Sequence, residues 1–175
     1  MPVRTLSLDS LDDATLQRLM SLNNAAVPAV SEVDQTRLRH LIAQSPIALI
    51  TTSTADRSPE EITGFCLVMG PGADYDSVNF TWFAQRYERF IYLDRVVVDP
   101  AHHGQGLGRA LYEEVITRAQ SIMPEAEQFC LEVNLRPRND QSLAFHDRMG
   151  FTEVGQQETP YGILVSMMTR PLTAV

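Results

Sequence analysis

Residues Tyr92 to Gln120 read YLDRVVVDPAHHGQGLGRALYEEVITRAQ, and two periodicities meet inside them. Ile91 to Val98 is rich in aromatic and β-branched residues and too short for a globular helix, so it reads as a strand that Asp99-Pro100 closes. A helix follows: Leu107, Ala110, Leu111, Val115, Ala119 and Ile122 recur at the spacing of one face, while Arg109, Glu113, Glu114, Thr117 and Arg118 fill the other. Between them lies His103-Gly104-Gln105-Gly106-Leu107-Gly108. Alternate glycines remove the Cβ atoms that keep a phosphate from the backbone, and the first-turn N–H groups, with the helix dipole, favour an anion there.

Spacing narrows the ligand. A Rossmann fingerprint needs a third glycine where this chain has Arg109, counted from Gly104, or Leu111, counted from Gly106. A P-loop needs Gly-Lys followed by Ser or Thr, which is missing here. The stretch instead resembles the acetyl-CoA loop of the GNAT superfamily of acyl-CoA N-acyltransferases: Arg or Gln, two residues, Gly, one residue, then Gly or Ala. Gly106 and Gly108 fall on its glycines, with His103 where Arg or Gln is usual. A second signature of that superfamily, an Asn opening the last helix, a small residue, an apolar residue, a Tyr and then Gly-Phe, is matched by Asn139, Ser142, Phe145, His146 and Gly150-Phe151. His146 takes the place of the Tyr.

The rest of the chain fits a mixed α/β sheet. Helices are expected over Leu11–Leu22, capped by Asp9 or Ser10, and over Glu32–Gln44, capped by Ser31, with a break at Asn23–Ser31. Strands are expected at Ile47–Ser53 and Ile62–Met69, linked through Asp56, Ser58 and Pro59. Gly70–Ser77 reads as an exposed loop, followed by three aromatics in Asn79–Phe83 that either anchor it or wall a substrate. Gln128–Val133 reads as a strand with Phe129, Leu131 and Val133 on one face and Cys130 and Glu132 on the other. A helix over Asn139–Met149 ends at Gly150, and Phe151–Gly155 with Ile163–Thr169 forms an antiparallel hairpin. The resemblance implies the GNAT fold: a mostly antiparallel sheet with a central, splayed parallel strand pair flanked by helices.

The 175 residues, 44% of them apolar, make one domain over 1–175. No run reaches the roughly 18 apolar residues of a membrane span and no leader pattern opens the chain, so a cytoplasmic protein without a membrane partner is expected. The net charge of −8 argues against nucleic acid. Cys66 and Cys130, inside strands, read as buried reduced thiols, and no metal is required.

Carried onto these positions, the resemblance implies acetyl-CoA as co-substrate. Its pantetheine arm runs along Val96, Val97 and Val98, and its pyrophosphate sits on His103, Gly104, Gln105, Gly106, Leu107, Gly108 and Arg109. Asn139, Ser142 and Phe145 border the arm, and the helices near the amino terminus border the acceptor. The implied reaction is direct transfer of the acetyl group to the primary amine of a small molecule in a ternary complex. Non-catalytic binding of acyl-CoA and acetylation of protein amino termini are the alternatives, and a homodimer is left open.

Three acidic or basic groups are candidates for the chemistry. His146 is a candidate acid for the departing thiolate, competent when charged but with a pKa of about 6.5, against the reading of a half-buried, hydrogen-bonded histidine beside Phe145. Asp94 and Glu132 are candidate bases; strict alternation would put Asp94 on one face with Val96 and Val98, and a salt bridge is its alternative task. Tyr75, Phe80 and Trp82 are the candidate acceptor wall.

Overall fold

In chain order the elements are β1 (Val3–Thr5), α1 (Asp13–Ala25), α2 (Gln35–Ala43), β2 (Ile47–Thr52), β3 (Ile62–Met69), α3 (Val78–Ala84), β4 (Phe90–Val98), α4 (Leu107–Ile122), β5 (Gln128–Arg136), α5 (Asp140–Arg148), β6 (Thr152–Glu158) and β7 (Leu164–Pro171). This computed structural model describes residues 3–6, 11–53 and 61–172. The expected caps at Asp9 or Ser10 and the turn at Asp56, Ser58 and Pro59 lie outside the described residues. No helix among the described residues is long and apolar enough to cross a membrane.

Among the described residues, seven strands form one sheet in the order β1-β2-β3-β4-β5-β7-β6. Every neighbouring pair is antiparallel except β4 and β5, which run parallel. Their pairing covers only Phe90 with Gln128, Ile91 with Phe129 and Tyr92 with Cys130. Beyond that point β4 stays bonded to β3 as far as Val98 and β5 to β7 as far as Arg136, so the two strands part.

A bulge lies at the parting. Leu67 of β3 faces Arg95 whereas Val68 faces Leu93, which leaves Asp94 as the extra residue of β4. An extra residue resets the alternation of faces. Tyr92 and Val97 therefore lie in the core beneath α1, α2 and α3, while Leu93, Val96 and Val98 lie in the core beneath α4 and α5. The expectation that Asp94 shares a face with Val96 and Val98 is corrected: it pairs with Tyr75 and with Arg95, whose other partners are on the α1 side.

Helix starts follow local chemistry. Asp12, Asp34 and Asn139 cap α1, α2 and α5 through their side chains, so α2 starts later than the Ser31 cap predicts. In α3, Ser77 caps a helix of poor formers, which Phe80 and Phe83, three residues apart, hold by packing one face into the core. The predicted aromatic segment is thus helical. The strand β1 was not expected; at three residues it has too little pattern to announce itself.

At Gly64 the strands β3 and β4 approach so closely that an added Cβ would stand 2.7 Å from the carbonyl oxygen of Val97. Gly64→Ala should therefore lower stability by about 1–3 kcal/mol, read from the denaturant midpoint.

Candidate active site

The parted strands expose backbone on the β4 side. Asp99 donates its N–H to Thr63 on β3 at 2.8 Å, and the Val97 carbonyl also turns to β3, against Gly64. Peptide groups alternate along a strand, so those of Val96 and Val98 point into the gap, where pairing with β5 has already ended. Val97 offers nothing on that side. The imidazole of His103 folds back and donates from Nε2 to the carbonyl of Val98 at 3.0 Å.

After β4, Asp99 caps a short 3-10 turn over Pro100–His102, and the glycine loop follows. Gly104 (φ 78°) and Gly106 (φ 79°) are left-handed, and the space where their Cβ atoms would stand is open. The helix α4 begins on Gly106 without a capping side chain, unlike α1, α2, α3 and α5. Its first internal bond is from Ala110 to Gly106. The N–H groups of Leu107, Gly108 and Arg109 are thus left without partners inside the helix, with the positive end of a helix dipole behind them. Side chains add little: Leu107 is core, Gln105 is exposed, and Arg109 lies along the helix against Glu113 at 2.7 Å. Phe145 closes one side, its ring 3.8 Å from where a Gly108 Cβ would be. Asn139 spends its side-chain oxygen on the N–H of Ser142.

On the opposite face, a cavity of about 250 Å³ lies between the α1–α2 loop, the parted strands and the β6–β7 hairpin. Asp94, Arg95, Glu132, Asn79 and Tyr75 make its polar wall; Val27, Pro28, Val30, Tyr161 and Ile163 make an apolar rim. Glu132 accepts from the Tyr92 hydroxyl at 2.8 Å and from Asn79 Nδ2 at 3.0 Å, and Gln157 fixes Asn79 in turn. Burial pushes the Glu132 carboxyl up to about 7; the charge of Asp94 adds to this, and the two donors oppose it. Asp94 has a different environment. Arg95 Nε sits 2.6 Å from its Oδ2 and the Tyr75 hydroxyl donates to its Oδ1. It is held as one half of an ion pair, the alternative foreseen for it.

The expected acceptor wall is only partly assembled. Tyr75 reaches the cavity. Phe80 is buried among Tyr75, Phe90 and Tyr92, and Trp82 packs under β6 at Gly155 with Arg86 over its ring, so neither lines the cavity.

His146 is also away from it. The ring is 4% exposed and packs edge-on against Tyr112, Phe145 and Phe151. Its Nδ1 is 2.7 Å from the Ser142 carbonyl, which can only accept, so Nδ1 carries the hydrogen. Nε2 is then the acceptor of the Tyr112 hydroxyl at 2.6 Å. Burial lowers the His146 pKa, the opposite of what a charged acid needs. This is the arrangement of the other reading given for it, a hydrogen-bonded histidine packed beside Phe145. Tyr112, Asn79, Tyr92 and Arg95 were missed in the sequence. Tyr112 lies on the Gly108, Val115, Ala119 spacing, and Arg95 was legible as a lone cation in an apolar strand.

The profile of the acetyltransferase (GNAT) family matches residues 19–151. The chain belongs to the GNAT acetyltransferase family. Peptidyl-lysine N-acetyltransferase YjaB of Salmonella typhimurium is 31% identical over 78 residues, 42% of this chain and 48% of that protein; the match thus spans about half of the relative. Among solved structures, Arabidopsis thaliana NAA60 in complex with acetyl-CoA superposes with a TM-score of 0.72 at 16% identity over 97% of each chain. An aminoglycoside 6'-N-acetyltransferase complexed with coenzyme A does so with a TM-score of 0.72 at 13% identity over 100% of this chain and 99% of the other.

For a GNAT acetyltransferase, the open cradle at Gly104 and Gly106 and the uncapped start of α4 fit a pyrophosphate, and the peptide groups of Val96 and the N–H of Val98, facing the gap, fit the amides of a pantetheine arm, the Val98 carbonyl being held by His103. Gly108 lies inside the helix, so Gly108→Val adds bulk without a left-handed φ; it should weaken coenzyme A binding by at least about tenfold, or 1.4 kcal/mol, in calorimetry.

Glu132 also links stability to pH. Its folded pKa of about 7 stands above the ordinary 4.5, so the native state holds the proton more tightly than the unfolded chain. That contribution is fully present below pH 4.5 and is lost as pH rises to about 7. Denaturant melts across this window should show wild type losing stability relative to Glu132→Gln.

Proposed function

We propose that the protein transfers an acetyl group from acetyl-CoA to the primary amine of a small molecule, with Glu132 as the base. One observation carries this reading: a carboxyl that titrates near neutrality borders the cavity behind the parted strands, while its neighbour Asp94 is tied to Arg95. The glycine loop and α4 hold the pyrophosphate, and Val96 and Val98 hold the arm, so that the acetyl group reaches the parting from the α4 side. The amine arrives from the cavity. Its nitrogen attacks the acetyl carbon, Glu132 takes the N–H proton, and the C–S bond breaks to release the thiolate. A thiol of pKa about 8.5 leaves well as its anion, and the proton can follow from solvent. His146, neutral and with both ring nitrogens engaged, supports Tyr112 and the packing of α5.

The strength of the base selects the amine. From an α-ammonium of pKa about 8, a carboxylate near 7 takes a proton at a cost of about 1.4 kcal/mol; from a lysine ammonium near 10.4 the cost is about 4.6 kcal/mol. The apolar rim adds a preference for an apolar body beside the amine.

An acceptor panel followed by release of free coenzyme A tests this reading. L-Phenylalaninamide should exceed spermidine and the side chain of Nα-acetyl-lysine. Peptide amino termini outperforming every small amine would make a protein terminus the acceptor, and coenzyme A binding without release under any amine would indicate a binding module. Glu132→Gln should lower kcat by about 10² to 10⁴. In wild type, kcat/KM should rise with pH to a plateau above about 7. His146→Ala should cost less than about tenfold in kcat.

A further inference from the structure

Arg95 stands in the cavity wall with no part in the chemistry above. It lies in the middle of β4 and is 3% exposed. A cation so placed is costly unless it is paired and its donors are used. They are used in one direction. Nε holds Asp94 at 2.6 Å; Nη1 donates to Asn23 Oδ1 at 2.8 Å and toward the Ser31 carbonyl at 3.5 Å; Nη2 reaches Ser31 Oγ at 3.3 Å.

Asn23 is in the last turn of α1 and Ser31 lies at the far end of the loop to α2, so one guanidinium joins both ends of that loop to the strand. Asn23 reinforces the join by donating to the Ser31 carbonyl at 2.9 Å. From the other side of the parting, Asn134 of β5 donates to the Pro28 carbonyl at 3.2 Å. Between these fixings the loop supplies Val27, Pro28 and Val30 to the rim.

Arg95 also bears on Glu132 through Asp94, whose charge helps to raise the Glu132 carboxyl and whose Oδ2 Arg95 holds at 2.6 Å. The charged or titratable groups around that carboxyl are Asp94, Arg95 and Tyr92 from β4, Tyr75 from the segment before α3, Tyr161 from the β6–β7 turn and Tyr112 from α4. The tyrosines are neutral at pH 7, so the balance between Asp94 and Arg95 is the one that counts.

We propose that Arg95 is a positioning residue for the acceptor: it clamps the α1–α2 loop over the cavity and neutralises Asp94 beside Glu132. The inference rests on the reading of Glu132 as base for its kinetic half, while the clamp stands without it. A lysine keeps the charge but has no planar fork to span Asp94, Asn23 and Ser31 together. The two tasks are therefore separable.

The test uses the full chain with acetyl-CoA and L-phenylalaninamide as the acceptor probe, together with hydrogen exchange of residues 24–33. Arg95→Met should raise the KM for L-phenylalaninamide by about tenfold or more while leaving the KM for acetyl-CoA within about twofold, and should move the inflection of kcat/KM to higher pH. Arg95→Lys should restore the inflection but not the KM, and Asn23→Ala should raise the KM without moving the inflection. Exchange in residues 24–33 should quicken by about tenfold in all three variants, with β5 unchanged. Unchanged loop exchange overturns the clamp, even if the probe is a poor substrate. Equal losses for both substrates, or an unmoved inflection in Arg95→Met, overturn the role toward Glu132. Full turnover by Glu132→Gln instead refutes the reading of the base and leaves the exchange result to decide the clamp. Should Arg95→Met fail to fold, Arg95→Gln, which also removes the charge, carries the comparison of inflections, and Asn23→Ala and Arg95→Lys carry that of the clamp.

Discussion

The site depends on a sheet that stops being a sheet. The strands β4 and β5 pair over three residues each and then part, leaving the peptide groups of Val96 and Val98 without a neighbouring strand. An unpaired backbone donor or acceptor away from water is costly, so a gap of this kind favours a ligand that brings its own amides. The same parting opens the opposite face to the cavity. The bulge at Asp94 turns Asp94 and Arg95 toward the cavity and Val96 and Val98 toward the α4 side.

Two carboxylates close together show how environment divides labour. Asp94 has an arginine at 2.6 Å and accepts from a tyrosine hydroxyl, so both of its oxygens are engaged in an ion pair and a hydrogen bond. Glu132 has only neutral donors, Tyr92 and Asn79, and burial pushes its carboxyl up to about 7. Neither environment comes from one element alone: the partners of Glu132 are on β4 and α3, and those of Asp94 are on its own strand and the segment before α3. Tertiary packing therefore gives the two acids their different environments.

Much of the fold was legible. The turn from strand to helix around Gly104–Gly108, the last helix with its Asn139 cap and the terminal hairpin all follow from local chemistry, and the structure has them. The conformation of the glycine loop was legible for the same reason, since glycine spacing and helix starts are local. What escaped was non-local. A bulge is defined by a partner strand, so the faces of β4 after Leu93 were assigned by an alternation that the bulge interrupts. Phe80 and Trp82 were grouped with Tyr75 by closeness in sequence, yet the turns of α3 send them elsewhere. His146 was placed in the correct helix, but its protonation depends on Tyr112 and the Ser142 carbonyl, which only packing brings to it.

The central claim is that Glu132 exchanges its proton near neutral pH within the acceptor cavity, and its carboxyl can be observed directly. With glutamate carboxyl carbons labelled and Glu132→Gln used to assign the resonance, a titration by nuclear magnetic resonance should give a midpoint near 7 for Glu132 in the ligand-free protein. A midpoint near the ordinary glutamate value of 4.5 would contradict the account, because a base that weak would leave the amine without its acceptor.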